Sequence, residues 1–311
     1  MIYDVIIIGA GPAGLSAAIY SGRARLSTLL IEKSKDGGQL AITDEIENYP
    51  GVMSETGANL TAIMTEQAAR FGAERVYDTV QSVELNGDVK TVTCVGATFS
   101  AKTVIIATGA RPRPIGCENE EKFVGKGISF CATCDANFFE EMEVFVAGGG
   151  DSAIEEALYL TKFARSVTVI HRRDELRAAK SIQEKAFANE KIRFIWDSVV
   201  ERVDGDGVLE KMTLRNVKTG ETTEILADED DGLFGLFGFL GFLPNSALFT
   251  EQLPLENGYI RTDENMRTGI PGVFAAGDVR VKSLRQVVTA ASDGAIAAIC
   301  AEKYLEGFDH A

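Results

Sequence analysis

Cys131, Ala132, Thr133 and Cys134 form a CxxC, the spacing at which two sulfurs come within bonding distance across one tight turn. Such a pair can ligate zinc, sit buried as structural thiols, or cycle as a redox disulfide. Zinc takes about four ligands, usually completed by a second CxxC or a Cys/His pair. The remaining candidates, Cys94, Cys117, Cys300, His171 and His310, are scattered without that spacing, which leaves a zinc site half built. Structural thiols seldom come as a CxxC beside a strand–helix–strand unit, and that context favours redox chemistry. Cys94, Cys117 and Cys300 read as small buried apolar groups, as lone cysteines usually do. Asp135 follows Cys134 directly, where its carboxyl can exchange a proton with a sulfur or cap a helix, two compatible roles. A helix begun by residues 135–139 sets its positive end near the cysteines and stabilises a thiolate.

A second chemistry lies in two glycine-rich turns. Gly9, Gly11 and Gly14 follow a β-branched strand at 2–8 and open an Ala-rich helix at 15–23; the next apolar strand, 27–31, ends at Glu32, 23 residues beyond Gly9. This is the dinucleotide-binding arrangement, with phosphates at the helix N-terminus and an acid at the ribose. It recurs as a strand at 144–147, a turn of Gly148, Gly150 and Ala153, a helix at 154–163 and a strand at 167–170. There, 23 residues beyond Gly148, stands His171, followed by Arg172, Arg173 and Arg177. A carboxylate at that strand end accepts hydrogen bonds from a free 2′-hydroxyl, whereas arginines complement a 2′-phosphate. Glu32 therefore predicts the adenosine ribose of FAD or NAD, and the arginines predict NADP. The competing reading of the arginines, a solvated helix end, is outweighed by their place just past a Rossmann strand.

These residues need elements to hold them. Alternating stretches at 91–95 and 211–217 predict antiparallel strands beside each core. Arg111, Pro112, Arg113 and Pro114 form an extended, helix-incompatible segment, and Leu243, Pro244 and Asn245 a later break. Two such crossings predict that one domain is inserted into the other: residues 1–113 with 244–311, interrupted by 114–243. The fold class is α/β, two Rossmann-like, three-layer ββα nucleotide-binding domains. Asn257-Gly258 predicts a hairpin turn. An apolar strand from Val273 ends in Gly277-Asp278, which can present a carboxylate to sugar or ribityl hydroxyls, and a final helix runs over about 285–304. The Gly- and Phe-rich stretch 232–242 reads as a flexible apolar strand leading to the second crossing.

Composition narrows the partners. The 311 residues carry 31 Lys and Arg against 46 Asp and Glu, a net charge of −15. Nucleic acid and anionic membranes require a clustered positive patch, and the run at 171–177 is too small for a duplex. No apolar run reaches the roughly 18 residues that could cross a bilayer. Five cysteines over a long chain are no secreted disulfide framework, and no basic region precedes the apolar start, so the expected compartment is the cytoplasm.

With two nucleotide turns, an NADP-type arginine cluster and a CxxC between them, the chain closely resembles the low-molecular-weight bacterial thioredoxin reductase family over nearly its whole length. The matching pieces are Gly9, Gly11, Gly14 and Glu32; Gly37 to Leu40; Ala107, Thr108 and Gly109; Cys131 to Asp135; Gly148 to Ala153; His171 to Arg177; Gly277-Asp278; and Arg285-Gln286. The resemblance implies a homodimeric flavoenzyme with FAD in the discontinuous domain, NADPH in the inserted one, and thioredoxin or a thioredoxin-like protein as partner. It gives FAD Gly9, Gly11, Pro12, Ala13, Gly14, Glu32, Gly38, Gln39, Leu40, Asn48, Thr108, Gly109, Gly277, Asp278, Arg285, Gln286 and Val287. It gives NADPH Gly148, Gly150, Asp151, Ser152, Ala153, His171, Arg172, Arg173 and Arg177. By the same resemblance hydride passes from NADPH to the flavin, which then opens the Cys131–Cys134 disulfide. Cys134 faces the flavin as the charge-transfer thiolate, Cys131 attacks the protein substrate, and Asp135 is the acid/base residue. The family alternates between two domain orientations, and short Pro-containing crossings suit hinges.

Two departures stand out: Ala136 where many members have Gly, and the glycines of 232–242. Rival readings lose on motifs. A relative driven by ferredoxin lacks the nucleotide motifs that this chain keeps, and a ferredoxin:NADP reductase lacks the CxxC. A peroxidase's flavoprotein partner carries an extra thioredoxin-like portion with its own CxxC. A non-catalytic redox sensor has no need of NADP arginines beside a second phosphate turn.

Overall fold

The computed structural model of the protein describes residues 1–43, 46, 48–53 and 55–307, so His310 lies outside the described residues. The chain forms two compact units, Met1–Arg111 with Leu243–Ala311, and Pro112–Phe242. The first unit opens with β1 (Ile2–Ile8), α1 (Pro12–Arg23), β2 (Thr28–Glu32), α2 (Gly57–Arg70), β3 (Glu74–Tyr77), β4 (Val80–Glu84), β5 (Lys90–Cys94) and β6 (Thr98–Ile106), then leaves by β7 (Ala110–Pro112). The second unit holds α3 (Glu120–Phe123), β8 (Ile128–Ser129), α4 (Ala132–Asp135), β9 (Glu143–Ala147), α5 (Asp151–Leu160), β10 (Ser166–Ile170), α6 (Lys180–Phe187) and β11 (Ile192–Ile195). It continues with β12 (Ser198–Asp204), β13 (Lys211–Asn216), β14 (Thr222–Leu226) and β15 (Gly235–Gly238). The chain returns by β16 (Phe242–Pro244) and ends with β17 (Leu255–Glu256), β18 (Tyr259–Ile260), β19 (Val273–Ala275) and α7 (Val287–Leu305).

In the first unit the sheet order is β3-β2-β1-β6-β5-β4, with β19 also paired to β6. β6 is long enough to serve two partners on the edge away from β1, β5 antiparallel along its first half and β19 parallel along its second. Alternation along the strands sorts their side chains between two layers. Val5, Ile7, Leu30, Ile105 and Phe274 pack with Leu15 of α1, Leu60 of α2 and Ala297 of α7. Ile6, Ile8, Leu29, Ile31, Val104 and Ile106 turn the other way, against Val83, Val92, Phe249 and Leu253. Fully burying a Leu or Ile of this kind is worth about 1.5–3 kcal/mol.

The second unit repeats the plan with a wholly parallel sheet, β11-β10-β9-β15-β8, and a separate antiparallel sheet, β12-β13-β14. Val144, Val146, Val167 and Val169 meet Ile154, Ala157 and Leu160 of α5, while Phe145, Ile170 and Leu236 meet Val203, Met212 and Leu214 of the antiparallel sheet. Both units are thus α/β with three layers.

Several boundaries move for local reasons. α1 starts at Pro12, because Gly11 is its N-cap and proline fits the first turn, where its missing N–H is no loss. α7 starts at Val287, fixed by a capping box between Gln286 and Thr289. Asn257 and Gly258 take φ of 52° and 87° between β17 and β18, the turn that the dipeptide predicts. The stretch 232–242 is corrected: β15 is a buried strand between β9 and β8, not a flexible lead to the crossing.

Candidate active site

Cys131 and Cys134 are joined by a disulfide, with Cα atoms 5.3 Å apart. The helical turn begins at Ala132 with Cys131 as its N-cap, earlier than expected, and residues 136–139 follow as a 3-10 turn. The Cys134 and Asp135 N–H groups both donate to the Cys131 carbonyl, at 3.3 and 3.2 Å, and this pulls the two sulfurs together. Cys131 therefore stands where helix amides favour a thiolate once the bond opens. Asp135 does not cap the turn that follows; its Oδ2 accepts a hydrogen bond from Ser129 Oγ. Ser129 also accepts from the Cys131 N–H at 3.1 Å and is buried. Sequence reasoning passed over this serine, whose only signal is a polar residue in an apolar strand two positions before the CxxC.

The glycines of β15 shape the seat of this turn. A Cβ on Gly238 would lie 2.7 Å from the Phe130 ring, and one on Gly235 would lie 3.0 Å from the Phe139 ring. Phe130 and Phe139 flank the CxxC turn on either side, and Phe139 also packs edge-on against Phe237 at 5.5 Å.

The first glycine turn is built for close approach. Gly9 has φ +104°, and a Cβ there would run into the Ala107 backbone. Gly11 is different: a Cβ would meet nothing nearer than the Gly37 carbonyl at 3.9 Å, so its bareness leaves space over the α1 N-terminus, beside Pro12 and Ala13. Gly37 N–H donates to the Ala10 carbonyl at 2.7 Å, which brings Gly38, Gln39 and Leu40 to the same turn. Glu32 accepts from the Ala10 and Ser34 N–H groups at 2.8 and 3.2 Å, and its carboxylate has lone pairs left for hydroxyl donors.

Beyond β19, Gly277 packs against Ala13 of α1, at the same turn. Asp293, a second residue missed in the sequence, takes the Gly277 N–H at 3.0 Å and Lys282 Nζ at 2.8 Å on one oxygen. Asp278 keeps a buried Oδ1 without a partner among the described residues, as does Arg285 at Nε. Burial raises the Asp278 carboxyl above its ordinary value, against the opposing pull of Lys282 and Arg285. The Arg285 guanidinium stacks on Tyr259 at 4.2 Å, and Asn48 donates to Gln286 at 3.2 Å just before Val287. Thr108 and Gly109 are clasped by Asn245, which donates its side-chain amide to the Thr108 carbonyl at 2.9 Å. An open phosphate turn, a carboxylate with spare lone pairs and an orphaned buried acid fit a dinucleotide with two sugar-like ends.

In the second turn Gly148 lies against Ala153 and the Phe239 carbonyl, and a Cβ on Gly149 would collide with the His171 imidazole. His171 is 5% exposed, and its Nε2 has no partner among the described residues. Burial first, then the Arg177 guanidinium, holds this imidazole below its ordinary value. Arg177 N–H donates to the Gly149 carbonyl at 2.8 Å, so the arginine lies over the turn beside Gly150. Asp151 clasps the same loop by accepting from the Ala179 N–H at 2.7 Å, while Ser152 is exposed. Arg172 and Arg173 are exposed, and the neighbouring Asp174 is held by Lys218 instead of by them.

The profile of the pyridine nucleotide-disulphide oxidoreductase family matches residues 3–294. The chain belongs to that family. Among relatives, it is 58% identical over 307 residues to a thioredoxin reductase of Peptoclostridium acidaminophilum, covering 98% of each chain. It is 47% identical over 308 residues to the thioredoxin reductase of Bacillus subtilis, covering 98% of this chain and 95% of that one. Among solved structures, thioredoxin reductase from Streptococcus pyogenes superposes with a TM-score of 0.91 at 47% identity, covering 99% of both chains. A pyridine nucleotide-disulphide oxidoreductase works between a nicotinamide cofactor and a disulfide by way of a flavin, and this member carries its disulfide at Cys131–Cys134.

Proposed function

We propose that this pyridine nucleotide-disulphide oxidoreductase passes electrons from NADPH through FAD and the Cys131–Cys134 disulfide to the disulfide of thioredoxin or a thioredoxin-like protein. One observation carries the reading: a half-buried CxxC disulfide shares a chain with two glycine turns whose ribose-end residues have opposite charge, Glu32 in one and Arg172, Arg173 and Arg177 in the other. FAD is held at Gly9 to Gly14, Glu32, Gly38 to Leu40, Asn48, Thr108-Gly109, Gly277-Asp278 and Arg285 to Val287. NADPH is held at Gly148 to Ala153 and His171 to Arg177. When bound, the flavin supplies the exchange of a hydride for an electron pair that the disulfide can take. Two electrons and two protons open the Sγ–Sγ bond to two thiols. The Cys131 thiol gives its proton to the Asp135 carboxylate and the resulting thiolate attacks the substrate disulfide, giving a mixed disulfide and a substrate thiolate, which takes that proton from Asp135. The Cys134 thiol passes its proton to Asp135 in turn and attacks Cys131 Sγ, restoring the disulfide and releasing the second substrate sulfur, which leaves as a thiol with that proton. The deep burial of His171 suits a neutral wall behind the phosphate turn, and the exposed arginines suit the 2′-phosphate.

The assembly we propose is a cytoplasmic homodimer; exposed Tyr20, Ile63, Val288, Ile296 and Ile299 on α1, α2 and α7 supply an apolar face for a second copy. Among the described residues no helix is long and apolar enough to cross a membrane. The test is an anaerobic titration of the purified yellow protein, followed by visible absorbance. Bleaching by NADPH that outpaces bleaching by NADH and is reversed by oxidised thioredoxin supports the whole path. Bleaching by reduced ferredoxin alone would reassign the donor.

A further inference from the structure

We propose that Ser129 is a positioning residue of the redox centre, whose one hydroxyl sets the Asp135 carboxyl and the Cys131 end of the disulfide in a fixed relation. The inference rests on the reading of Asp135 as the proton donor and acceptor of thiol–disulfide exchange. Its ground is a bridge of two hydrogen bonds through one oxygen. Ser129 Oγ donates its proton to Asp135 Oδ2 in preference to the Cys131 carbonyl, which lies farther off at 3.4 Å, and accepts the Cys131 N–H at 3.1 Å. A hydroxyl has a single proton, so the bond to the carboxylate orients it and leaves its lone pairs toward the Cys131 amide.

The bridge is rigid at both ends. Ser129 is 5% exposed and lies on β8, where its neighbour Ile128 is 1% exposed and both residues pair with β15 at Leu236 and Phe237. Phe130, the next residue, is seated at Gly238 of that strand. The serine cannot follow a wandering turn; the turn must come to the serine. A carboxyl on a four-residue helix, beside a bond that opens and closes in each cycle, gains from an anchor outside the turn.

Ser129 makes and breaks no bond in the reaction. When a thiolate leaves a mixed disulfide, the proton it takes comes from Asp135, and the carboxylate recovers one from a cysteine thiol of the reduced pair. The serine hydroxyl stays protonated throughout and only keeps the carboxyl within reach. Its removal should therefore be felt according to how much the leaving sulfur needs a proton. Alkyl thiolates are poor leaving groups and nitro-aromatic thiolates good ones.

The experiment uses the flavin-loaded protein, reduced anaerobically, freed of reductant and mixed with either hydroxyethyl disulfide or a nitro-substituted aromatic disulfide. Rates of thiol release are compared for the native chain, Ser129→Ala, Ser129→Thr, Asp135→Asn and the Ser129→Ala/Asp135→Asn pair. Loss of the acid in Asp135→Asn should slow the alkyl arm by about a hundredfold, the lower end of general acid catalysis. Loss of its anchor in Ser129→Ala should slow that arm by about tenfold, the size of one hydrogen bond to a charged group. The aromatic arm should change by less than about twofold, because its leaving group needs little protonation. Ser129→Thr should restore the alkyl arm, and Ser129→Ala should add nothing once Asp135 is Asn. The ratio of the two arms is taken within one sample, so it is indifferent to how much of a variant folds. Equal slowing of both arms by Ser129→Ala, or a loss that adds fully to that of Asp135→Asn, overturns the inference. If Asp135→Asn leaves the alkyl arm untouched, the acid/base reading of Asp135 falls and takes this inference with it. If Asp135→Asn slows that arm and Ser129→Ala does not, the serine alone is ruled out.

Discussion

A thiol among apolar side chains resists ionisation, and Cys94 and Cys117 are placed that way. Burial, helped by Asp78, pushes the Cys94 thiol up to about 11, and burial with Glu120 pushes Cys117 to about 12. Alkylation of the reduced native protein at neutral pH should therefore label Cys131 and Cys134 and spare Cys94 and Cys117, as read by peptide mass spectrometry. The same shifts set an alkaline limit. The folded values lie above the ordinary 9.0, so the contribution to stability is whole below that pH and is lost as pH rises toward 11–12. Thermal melts should show Tm falling over that interval, and Cys117→Ala should flatten the fall. At the nucleotide ends, Arg172→Ala with Arg173→Ala should lower the NADPH/NADH ratio of kcat/KM by about a hundredfold or more, two charge-assisted bonds being lost. An unchanged ratio would remove the arginines from cofactor choice. Asp278→Ala should weaken FAD by about ten- to a hundredfold in a fluorescence titration if, as proposed, its orphaned oxygen takes the cofactor's hydroxyls.

At the scale of elements, the legible parts were those where one short pattern dictates the backbone. Gly9 needs a left-handed φ, Glu32 closes a strand of buried residues, and Asn257-Gly258 admits one kind of turn. What escaped was whatever depends on a side chain meeting a group outside its own short motif. Ser129 reaches Asp135 across the CxxC, Asp293 reaches Gly277 from another element, and Asn245 clasps Thr108 from the opposite crossing. The Gly/Phe stretch misled for the same reason: its glycines look like flexibility, yet they are the receiving half of a fit whose other half, Phe130 and Phe139, lies about a hundred positions upstream. Gly238→Ala should therefore cost about 1–3 kcal/mol by overpacking, seen as a lower Tm. Adding Phe130→Leu should recover part of that loss. If Gly238→Ala melts like the native protein, β15 has room that the fit does not allow for.

For the whole molecule, the two units differ in how they are written into the chain. Pro112–Phe242 is continuous and has helix-side and strand-side cores of its own, so it should fold when produced alone, with a cooperative melt by circular dichroism. The other unit needs both of its segments, because β19 pairs with β6 and α7 packs on α1. Its crossings, β7 and β16, pair as a two-stranded ribbon. Asn245 N–H to the Gly109 carbonyl and Arg113 N–H to the Gly241 carbonyl, at 3.0 and 2.8 Å, keep one antiparallel register. Entry and exit of the inserted unit are thus neighbours, a few ångströms apart, and the gap left by cutting it out is no wider than a hairpin turn. Joining Arg111 to Leu243 through a two-residue turn should yield a chain that still folds and binds flavin. In engineering terms the ribbon is a socket: a module with close-set ends can be unplugged there and another plugged in, and because Cys131 and Cys134 leave with the inserted unit, on the proposed reading the donor site and the redox disulfide are exchanged together.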